Sequence, residues 1–312
     1  MCQPTEEEVI ETIEMRLLTI APGNVVEIGF FGGNFTGIEQ DMQERYLSLA
    51  RRYVFSGQVK GIRLSTRPDY IDENALRLLK RYNVTTIELG AQSLDEAVLK
   101  LSGRGHTVED VITASRMILQ HGFQLGLQMM IGLPGDTLDK SKDTARQIVR
   151  LGASNTRIYP TLVIKDTELE NRFRNGEYSP MTPEDAIHWT KKVVPIFEEG
   201  NVTILRIGLH PSEGILNGDT LVAGPFHVAF GEMVQSAIWR EILSEALRAK
   251  RQASGKGTGS RELLTVEVSV GQINVATGYR AENKKMLMEL FRKVIFRENS
   301  ELVGRQFNWR IG

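Results

Sequence analysis

The chain has 312 residues, a formal net charge of -1, 41% hydrophobic residues and 25% charged residues. These values are typical of globular domains with a packed core, and they exclude wholesale disorder. The charge gives no general affinity for nucleic acid, and no apolar run is long enough for a membrane span. We therefore expect a cytoplasmic protein with no membrane partner.

Cysteine and histidine usage limits the metal chemistry. Cys2 is the only cysteine, which excludes an internal disulfide and any site built from several cysteines of this chain. His210 and His227 have no metal-ligand spacing to another histidine or cysteine, so the sequence predicts no metal ligand.

Six short apolar runs alternate with helical patterns in the first two thirds of the chain. They are residues 25–31, 61–65, 85–90, 124–132, 156–164 and 202–209. Continuous apolar runs are typical of buried parallel strands, and alternation with helices indicates βαβ units. The pattern predicts a parallel barrel or a doubly wound sheet.

Helix signals lie between these runs. Asp72 can accept N–H bonds at the start of a helix over residues 72–82, and Thr107 starts another that Gly122 stops. Pro183 opens a third helix, predicted over residues 184–199.

The last quarter of the chain predicts a separate small module. Residues 252–260, QASGKGTGS, are typical of a linker, which divides the chain into domains 1–250 and 251–312. The module is predicted as a strand over residues 263–270, a helix from Ala281 to Phe296 and a strand-like end over residues 302–312. It resembles a KH-type module, in which Lys284, Lys285, Arg292 and Lys293 could meet phosphates or form a solvated helix face.

Polar residues follow the predicted strands, where an α/β barrel carries its chemistry. The pair Gly32-Gly33 either lets a ligand approach the backbone or forms an ordinary tight turn. Arg67 and Arg104 could each clamp a carboxylate with two N–H bonds or form a structural salt bridge.

Buried polar residues inside the apolar runs need partners. Gln92 and Gln128 are either ligand contacts or satisfied structural amides. Glu88 alternates with apolar neighbours and needs a cation, for which Arg63 or Lys165 could serve.

The segments that leave five of the strands form an ordered series of motifs. They are GFFGGNFTG, RLSTRPDYID, ELGAQSLDEAVLKLSGRGHT, LGLQMMIGLPGDT and IYPTLVIKDTELE. Over about residues 4–236 they resemble the catalytic subunit of Elongator and its smaller bacterial relatives in the radical S-adenosylmethionine (SAM) class, and more distantly the oxygen-independent coproporphyrinogen dehydrogenases. The resemblance implies an α/β fold, a partial TIM-like (β/α)6 radical SAM barrel with a small C-terminal α+β module.

The same resemblance assigns residues to a cofactor site. It implies that the backbone of Gly32 and Gly33, with Asn34 beside them, receives the methionine amino group of SAM. The remaining SAM contacts that it implies are Ser65, Arg67, Gln92, Arg104 and Gln128. Tyr159 and Lys165 fall on the side of the substrate or of a second cofactor, although an exposed lysine is the simpler alternative.

One element of the resemblance is missing. Radical SAM chemistry needs a 4Fe-4S cluster held by three thiolates, and the CxxxCxxC loop of relatives precedes the segment QPTEEEVIETIE. Cys2 lies beyond that loop, so we do not expect it to ligate the cluster. Because the first barrel strand is expected to be missing at the same end, the pattern favours a truncated radical SAM enzyme over decay into a non-enzyme.

Two functions remain as hypotheses. In the first, the full-length protein reductively cleaves SAM to a 5′-deoxyadenosyl radical, with electrons from a flavodoxin or ferredoxin, and acts on a tRNA nucleoside by analogy with Elongator. In the second, the barrel binds SAM or RNA without catalysis. The region after residue 250 is too short for an acetyltransferase domain, so acetyl transfer is not expected.

Overall fold

A computed structural model describes residues 3–21, 23–210, 213–254 and 263–312. In chain order the strands are β1 Glu27–Phe30, β2 Gly61–Thr66, β3 Val84–Gln92, β4 Gln124–Ile131, β5 Asn155–Pro160, β6 Val163–Ile164, β7 Thr203–Ile207, β8 Leu221–Ala223, β9 Leu263–Val268, β10 Lys293–Glu298 and β11 Phe307–Ile311. The α-helices are α1 Glu6–Thr19, α2 Gln40–Phe55, α3 Glu73–Arg81, α4 Glu96–Leu101, α5 Val108–Gln120, α6 Leu138–Arg150, α7 Glu168–Arg174, α8 Pro183–Glu199, α9 Glu213–Leu216, α10 Phe230–Ser254, α11 Ile273–Thr277 and α12 Glu282–Met288.

The described chain divides into two compact units. The first comprises Met1–Tyr159 and Pro195–Arg206, and the second comprises Pro160–Val194 and Ile207–Gly312. None of the described helices is long and apolar enough to cross a membrane.

The first unit is built around a curled half-barrel of six parallel strands in the order β1-β2-β3-β4-β5-β7. This architecture confirms the predicted α/β barrel. The face toward the helices is apolar, with Leu64, Ile87, Leu89, Leu125 and Leu127 fully buried. The opposite, inner face carries polar side chains, because successive residues of a strand point to opposite faces.

The helix starts follow the capping chemistry of the sequence. The Asp72 carboxylate accepts from the Ala75 amide at 2.7 Å at the start of α3. Thr107 and Asp110 form a reciprocal capping box at the start of α5, and Gly122 follows that helix with a φ of 74°. The three predicted helices between the strands lie at the predicted positions.

One predicted strand of the barrel region is wrong in its extent. The run over residues 156–164 was expected as a single strand, but the chain ends β5 at Pro160 and resumes as β6 at Val163. β6 pairs antiparallel with β8 in a separate two-stranded sheet. Apolarity alone does not distinguish one long strand from two short strands in different sheets.

The second unit contains the three-stranded sheet β10-β9-β11, in which β9 is parallel to β10 and antiparallel to β11. The helix predicted from Ala281 to Phe296 is therefore wrong beyond α12. The segment Val294-Ile295-Phe296 is β-branched and aromatic, and it forms a strand against β9.

The predicted linker at 252–260 lies mostly outside the described residues, and residues 252–254 belong to α10. The face of α10 with Trp239, Leu243 and Leu247 packs in one core with residues of β9. The domain boundary at residue 250 stays a prediction.

Candidate functional site

A glycine turn follows β1 at the carboxyl end of the sheet. Gly32 has a φ of 103°, a backbone conformation that favours glycine. Gly32 and Gly33 are exposed, and a Cβ on either residue would meet no atom within 4 Å. The backbone of the turn is thus open to a ligand.

Asn34 fixes this turn to the end of β2. Its side-chain oxygen accepts from the Thr66 hydroxyl at 2.5 Å and from the Arg67 amide at 3.2 Å. The Thr36 hydroxyl also lies 2.5 Å from that of Thr66. Asn34 therefore orients the turn, and its side-chain oxygen is already engaged.

Ser65 and Gln128 meet on the inner face of the half-barrel. The Gln128 amide nitrogen donates to the Ser65 hydroxyl and to the Glu88 carboxylate, both at 3.1 Å. The structure thus brings together two predicted site residues from β2 and β4. It also provides Gln128 with the partners that a half-buried amide needs.

Glu88 is the centre of a charged network on the same face. Its side chain is 1% exposed and accepts from Arg63 at 2.9 Å and from Arg157 at 2.7 Å. Arg63 also pairs with Glu27 at 2.9 Å. Of the two cations proposed for Glu88 from the sequence, Arg63 is confirmed, and the second cation that the structure provides is Arg157 rather than Lys165.

Arg157 connects this network to the glycine turn. Its guanidinium lies 4.6 Å from the centre of the ring of Phe31, the residue immediately before Gly32. Burial lowers the pKa of Arg157, but the hydrogen bonds and charge of Glu88 outweigh burial and raise it above the ordinary value. Arg157 therefore stays charged, with carboxylate on one side and an aromatic face on the other.

Arg67 is paired within its own loop. Its guanidinium donates to both oxygens of Asp69, at 2.9 Å and 2.7 Å. The hydrogen bonds from Arg67 hold the pKa of Asp69 below its usual range, and they raise the pKa of Arg67. Arg67 thus forms the structural salt bridge that the sequence left open as its alternative, and its side chain is 40% exposed.

Arg104, unlike Arg67, has no ion-pair partner among the described residues. Its Nε atom is buried and has no hydrogen-bond partner in the part of the chain that the structure describes. Burial, followed by the charge of nearby Arg67, lowers the pKa of Arg104. Arginine remains protonated at neutral pH, so Arg104 is a partly desolvated cation that lacks an anion among the described residues.

His106 lies in the same turn and was not singled out by the sequence patterns. It is 6% exposed, and its Nε2 donates to the Ala91 carbonyl at 3.1 Å, at the end of β3. Burial lowers the pKa of His106 and the charges of Arg104 and Arg67 lower it further, while the hydrogen bond to Ala91 and the charge of Asp69 oppose them. The motif SGRGHT contains both residues, so its position after β3 could have indicated His106.

Gln92 ends β3 in a strained conformation. Its φ is 64° and its side chain is buried, beside an irregularity in the pairing of β3 with β4. The left-handed region is costly for residues other than glycine, and such positions concentrate at functional sites.

The two predicted substrate-side residues belong to different units of the chain. Tyr159 belongs to the first unit, where burial raises its pKa beside Arg157. Lys165 belongs to the second unit, is exposed, and its backbone amide donates to the Thr220 carbonyl at 2.8 Å. Their role in substrate binding stays a prediction.

A cavity of about 780 Å³ lies on the first unit, between residues of α2, α3 and the loop after β2. Its walls include Thr36, Asp69, Tyr70, Arg77 and Arg81. None of the predicted SAM contacts lines it. We therefore base the candidate site on the polar inner face and the strand ends.

The described residues provide no set of ligands for the cysteine-ligated iron–sulfur cluster. No group of three or more histidine, cysteine, aspartate or glutamate side chains suited to a metal exists among residues 3–21, 23–210, 213–254 and 263–312. Cys2 lies outside those residues. His227 has its Nδ1 3.0 Å from the Ala229 amide, from which it accepts.

A curled sheet of parallel strands, with an open glycine turn and polar side chains at the strand ends, defines a TIM-like α/β half-barrel whose strand ends form the candidate site. The sequence matches the family model "Radical SAM superfamily" over residues 3–148 and the model "Radical_SAM C-terminal domain" over residues 154–240. The chain belongs to the radical SAM superfamily.

Named relatives lie in the Elongator group. The tRNA uridine(34) acetyltransferase of Methanocaldococcus infernus is 28% identical over 197 residues, which cover 56% of this chain and 37% of the relative. Human Elongator complex protein 3 is 30% identical over 139 residues, covering 44% and 25%. The chain thus spans well under half the length of these relatives.

A solved structure supports the same relationship. Archaeal Methanocaldococcus infernus Elp3 with an N-terminal deletion superimposes with a TM-score of 0.66 at 26% identity. The match covers 78% of this chain and 59% of that chain.

Proposed function

We propose that this chain provides the SAM-binding barrel of an enzyme that reductively cleaves SAM and acts on a tRNA nucleoside. Membership of the radical SAM superfamily supports the cofactor class. The relatives named for tRNA uridine(34) modification support the substrate class. A flavodoxin or ferredoxin would supply the electrons.

The observation that carries SAM binding is the unpaired cation at Arg104. The Arg104 side chain is half-buried with a buried Nε atom, and a partly desolvated guanidinium without an anion is costly, so a bound carboxylate would offset that cost through charge-assisted hydrogen bonds. SAM carries such a carboxylate at its methionine end. The open backbone at Gly32 and Gly33 could receive the amino group of the same ligand.

The described residues do not fit the iron–sulfur cluster, because they include no set of thiolate ligands. SAM binding and SAM cleavage are therefore separate parts of the proposal. Cleavage is followed as 5′-deoxyadenosine formation in a protein that joins this barrel to a CxxxCxxC segment. If SAM binds but such a cluster-loaded protein forms no 5′-deoxyadenosine, the non-catalytic binding protein becomes the better conclusion.

SAM binding is tested with the 312-residue chain by equilibrium dialysis of radiolabelled SAM. Arg104→Gln should weaken binding by about 2 kcal/mol, roughly thirtyfold, the loss typical of a charge-assisted hydrogen bond. Arg67→Gln should have a smaller effect, because its guanidinium already holds Asp69.

Arg116→Gln is the matched control, since Arg116 is an exposed arginine on α5 of the same unit. It should bind SAM as the unmodified chain does. Equal affinity in Arg104→Gln would remove this residue from the site, and no measurable SAM binding by the unmodified chain would contradict the proposed function.

A further inference from the structure

The second unit contains a cavity of its own, lined only by residues of that unit. It has a volume of about 450 Å³ and lies where α11 and α12 meet strand β10. We call it the basic groove. It is defined by the cations Lys284, Arg292 and Lys293 and by the apolar side chains Ile273, Ile295 and Phe296.

The three cations have no counter-charge among the described residues. No acidic side chain lines the groove, and no described carboxylate forms an ion pair with Lys284, Arg292 or Lys293. Like charges gathered without partners repel each other, and an anion along the groove relieves that repulsion. A ligand that relieves this repulsion is anionic at several points.

The floor of the groove limits the kind of anion. Ile273 and Phe296 pack partly against the apolar core of the unit, but they and Ile295 are only partly buried, so they leave some apolar surface in the groove. A small inorganic anion would leave this apolar surface exposed to water. A single-stranded nucleic acid has phosphates for the cations and flat base faces for the part of the apolar floor that is left uncovered.

The edge of the sheet adds a third feature. Among the described strands β10 pairs only with β9, in the order β10-β9-β11, so its outer edge leaves backbone N–H and C=O groups outside the sheet ladder. Such groups can hydrogen-bond to the edges of unpaired bases. Paired bases would offer neither their Watson–Crick edges nor their faces to the groove.

We propose that the basic groove binds a single-stranded RNA segment, with phosphates on Lys284, Arg292 and Lys293 and bases on the floor that includes Phe296. The choice of RNA among polyanions rests on the proposed function of the barrel. The groove itself lies within the second unit, so RNA binding is measurable without SAM or a cluster.

The test uses the 312-residue chain and a fluorescein-labelled oligouridine of about eight nucleotides, a length within the usual site size of single-strand binding modules, followed by fluorescence anisotropy. The triple variant Lys284→Gln, Arg292→Gln and Lys293→Gln should bind at least about tenfold more weakly. The slope of log affinity against log salt should also become less negative by about 2, because each phosphate that a cation neutralises on a single strand accounts for about 0.7 of that slope.

A matched triple variant keeps the change in charge the same. Arg240→Gln, Arg248→Gln and Arg297→Gln alter three exposed cations of the same unit that do not line the groove. This control should bind within about twofold of the unmodified chain, since exposed charges away from the groove contribute only general attraction. An equal loss in both triple variants would overturn the proposal, because it would show attraction to net charge alone.

Crosslinking locates the RNA independently of affinity. An oligonucleotide that contains 4-thiouridine should crosslink to the peptide that carries Phe296, as mapped by mass spectrometry, and excess octaglutamate should not compete. Crosslinks confined to other peptides, competition by octaglutamate at equal charge, or no RNA binding would each overturn the proposal. SAM dialysis on the same preparation shows whether the barrel function stands or fails separately.

Discussion

Arg104 and His106 lie two residues apart, and burial acts on both. Arg104 retains its charge because the ordinary pKa of arginine is far above neutrality. His106 has an ordinary pKa near 6.5, so the same burial holds it neutral at physiological pH. The turn after α4 therefore presents one permanent cation and one neutral ring.

The buried His106 predicts a loss of stability in acid. Its folded pKa is lowered, so below about pH 6.5 the unfolded chain binds the proton first and the free energy of unfolding falls. This loss is at most about 1.4 kcal/mol per pH unit and ends once the pH passes the folded pKa. Urea unfolding at about pH 7.5, 6.5 and 5.5, which bracket the ordinary pKa, should show a smaller acid loss in His106→Gln.

His188→Gln provides the comparison, because His188 is an exposed histidine of the described chain. It should follow the pH dependence of the unmodified protein. If His106→Gln loses as much stability in acid as the unmodified chain, the burial of His106 is not the cause.

At the scale of single residues, the sequence predicted the positions of the site side chains better than their hydrogen-bond and ion-pair partners. Ser65 and Gln128 are predicted at the ends of two strands, and they meet across β3, because parallel pairing places the carboxyl ends of the strands on one edge of the sheet. Arg157 and Asp69 were not singled out. Alternation shows which face a side chain occupies, but the partner on that face depends on the register between strands.

The register of β3 with β4 explains one glycine of the barrel. Gly126 pairs directly with Glu88 on the neighbouring strand. A Cβ at Gly126 would lie 2.7 Å from the Glu88 Cγ and 2.6 Å from the Asn155 side-chain oxygen. The strand therefore needs glycine there so that the Glu88 carboxylate can reach both arginines.

Gly126→Ala should lower the free energy of unfolding by about 1 to 3 kcal/mol, the usual cost of forcing extra volume into a packed site. Urea denaturation measures the change. Gly33→Ala is the control, because a Cβ there meets nothing within 4 Å, and it should stay within about 0.5 kcal/mol of the unmodified chain. Equal stability of the two variants would contradict the packing argument.

The elements that were predicted wrongly from the sequence are those whose residue pattern is compatible with two kinds of secondary structure. Residues 281–296 contain lysine, leucine and methionine, which favour a helix, and they do form one as far as Met288. The segment after it, KVIFRE, is a strand because pairing with β9 decides between the alternatives. Local propensity cannot include that long-range contact.

At the scale of the whole molecule, the two units have different kinds of interior. The inner face of the half-barrel carries a charged network around Glu88. The described core of the C-terminal sheet is apolar, and Trp239 of α10 is fully buried in it. The resemblance to the Elongator subunit ends near the start of α10. The buried face of that helix nevertheless packs on β9 of the C-terminal sheet.

Trp239 therefore tests whether α10 is part of the C-terminal module. Its ring nitrogen donates to Gln272 at 3.0 Å, and its ring meets Phe307 edge-on at 6.1 Å. Trp239→Ala should cost about 3 to 5 kcal/mol, the usual loss for a buried tryptophan. Because a local opening exposes the amides of the affected core, hydrogen exchange should accelerate in β9 and β10, while β3 and β4 keep their protection.

Trp309→Ala removes a half-buried ring of the same sheet and should have a smaller effect. Unchanged protection of β9 in Trp239→Ala would separate α10 from the module and restore a boundary near residue 250.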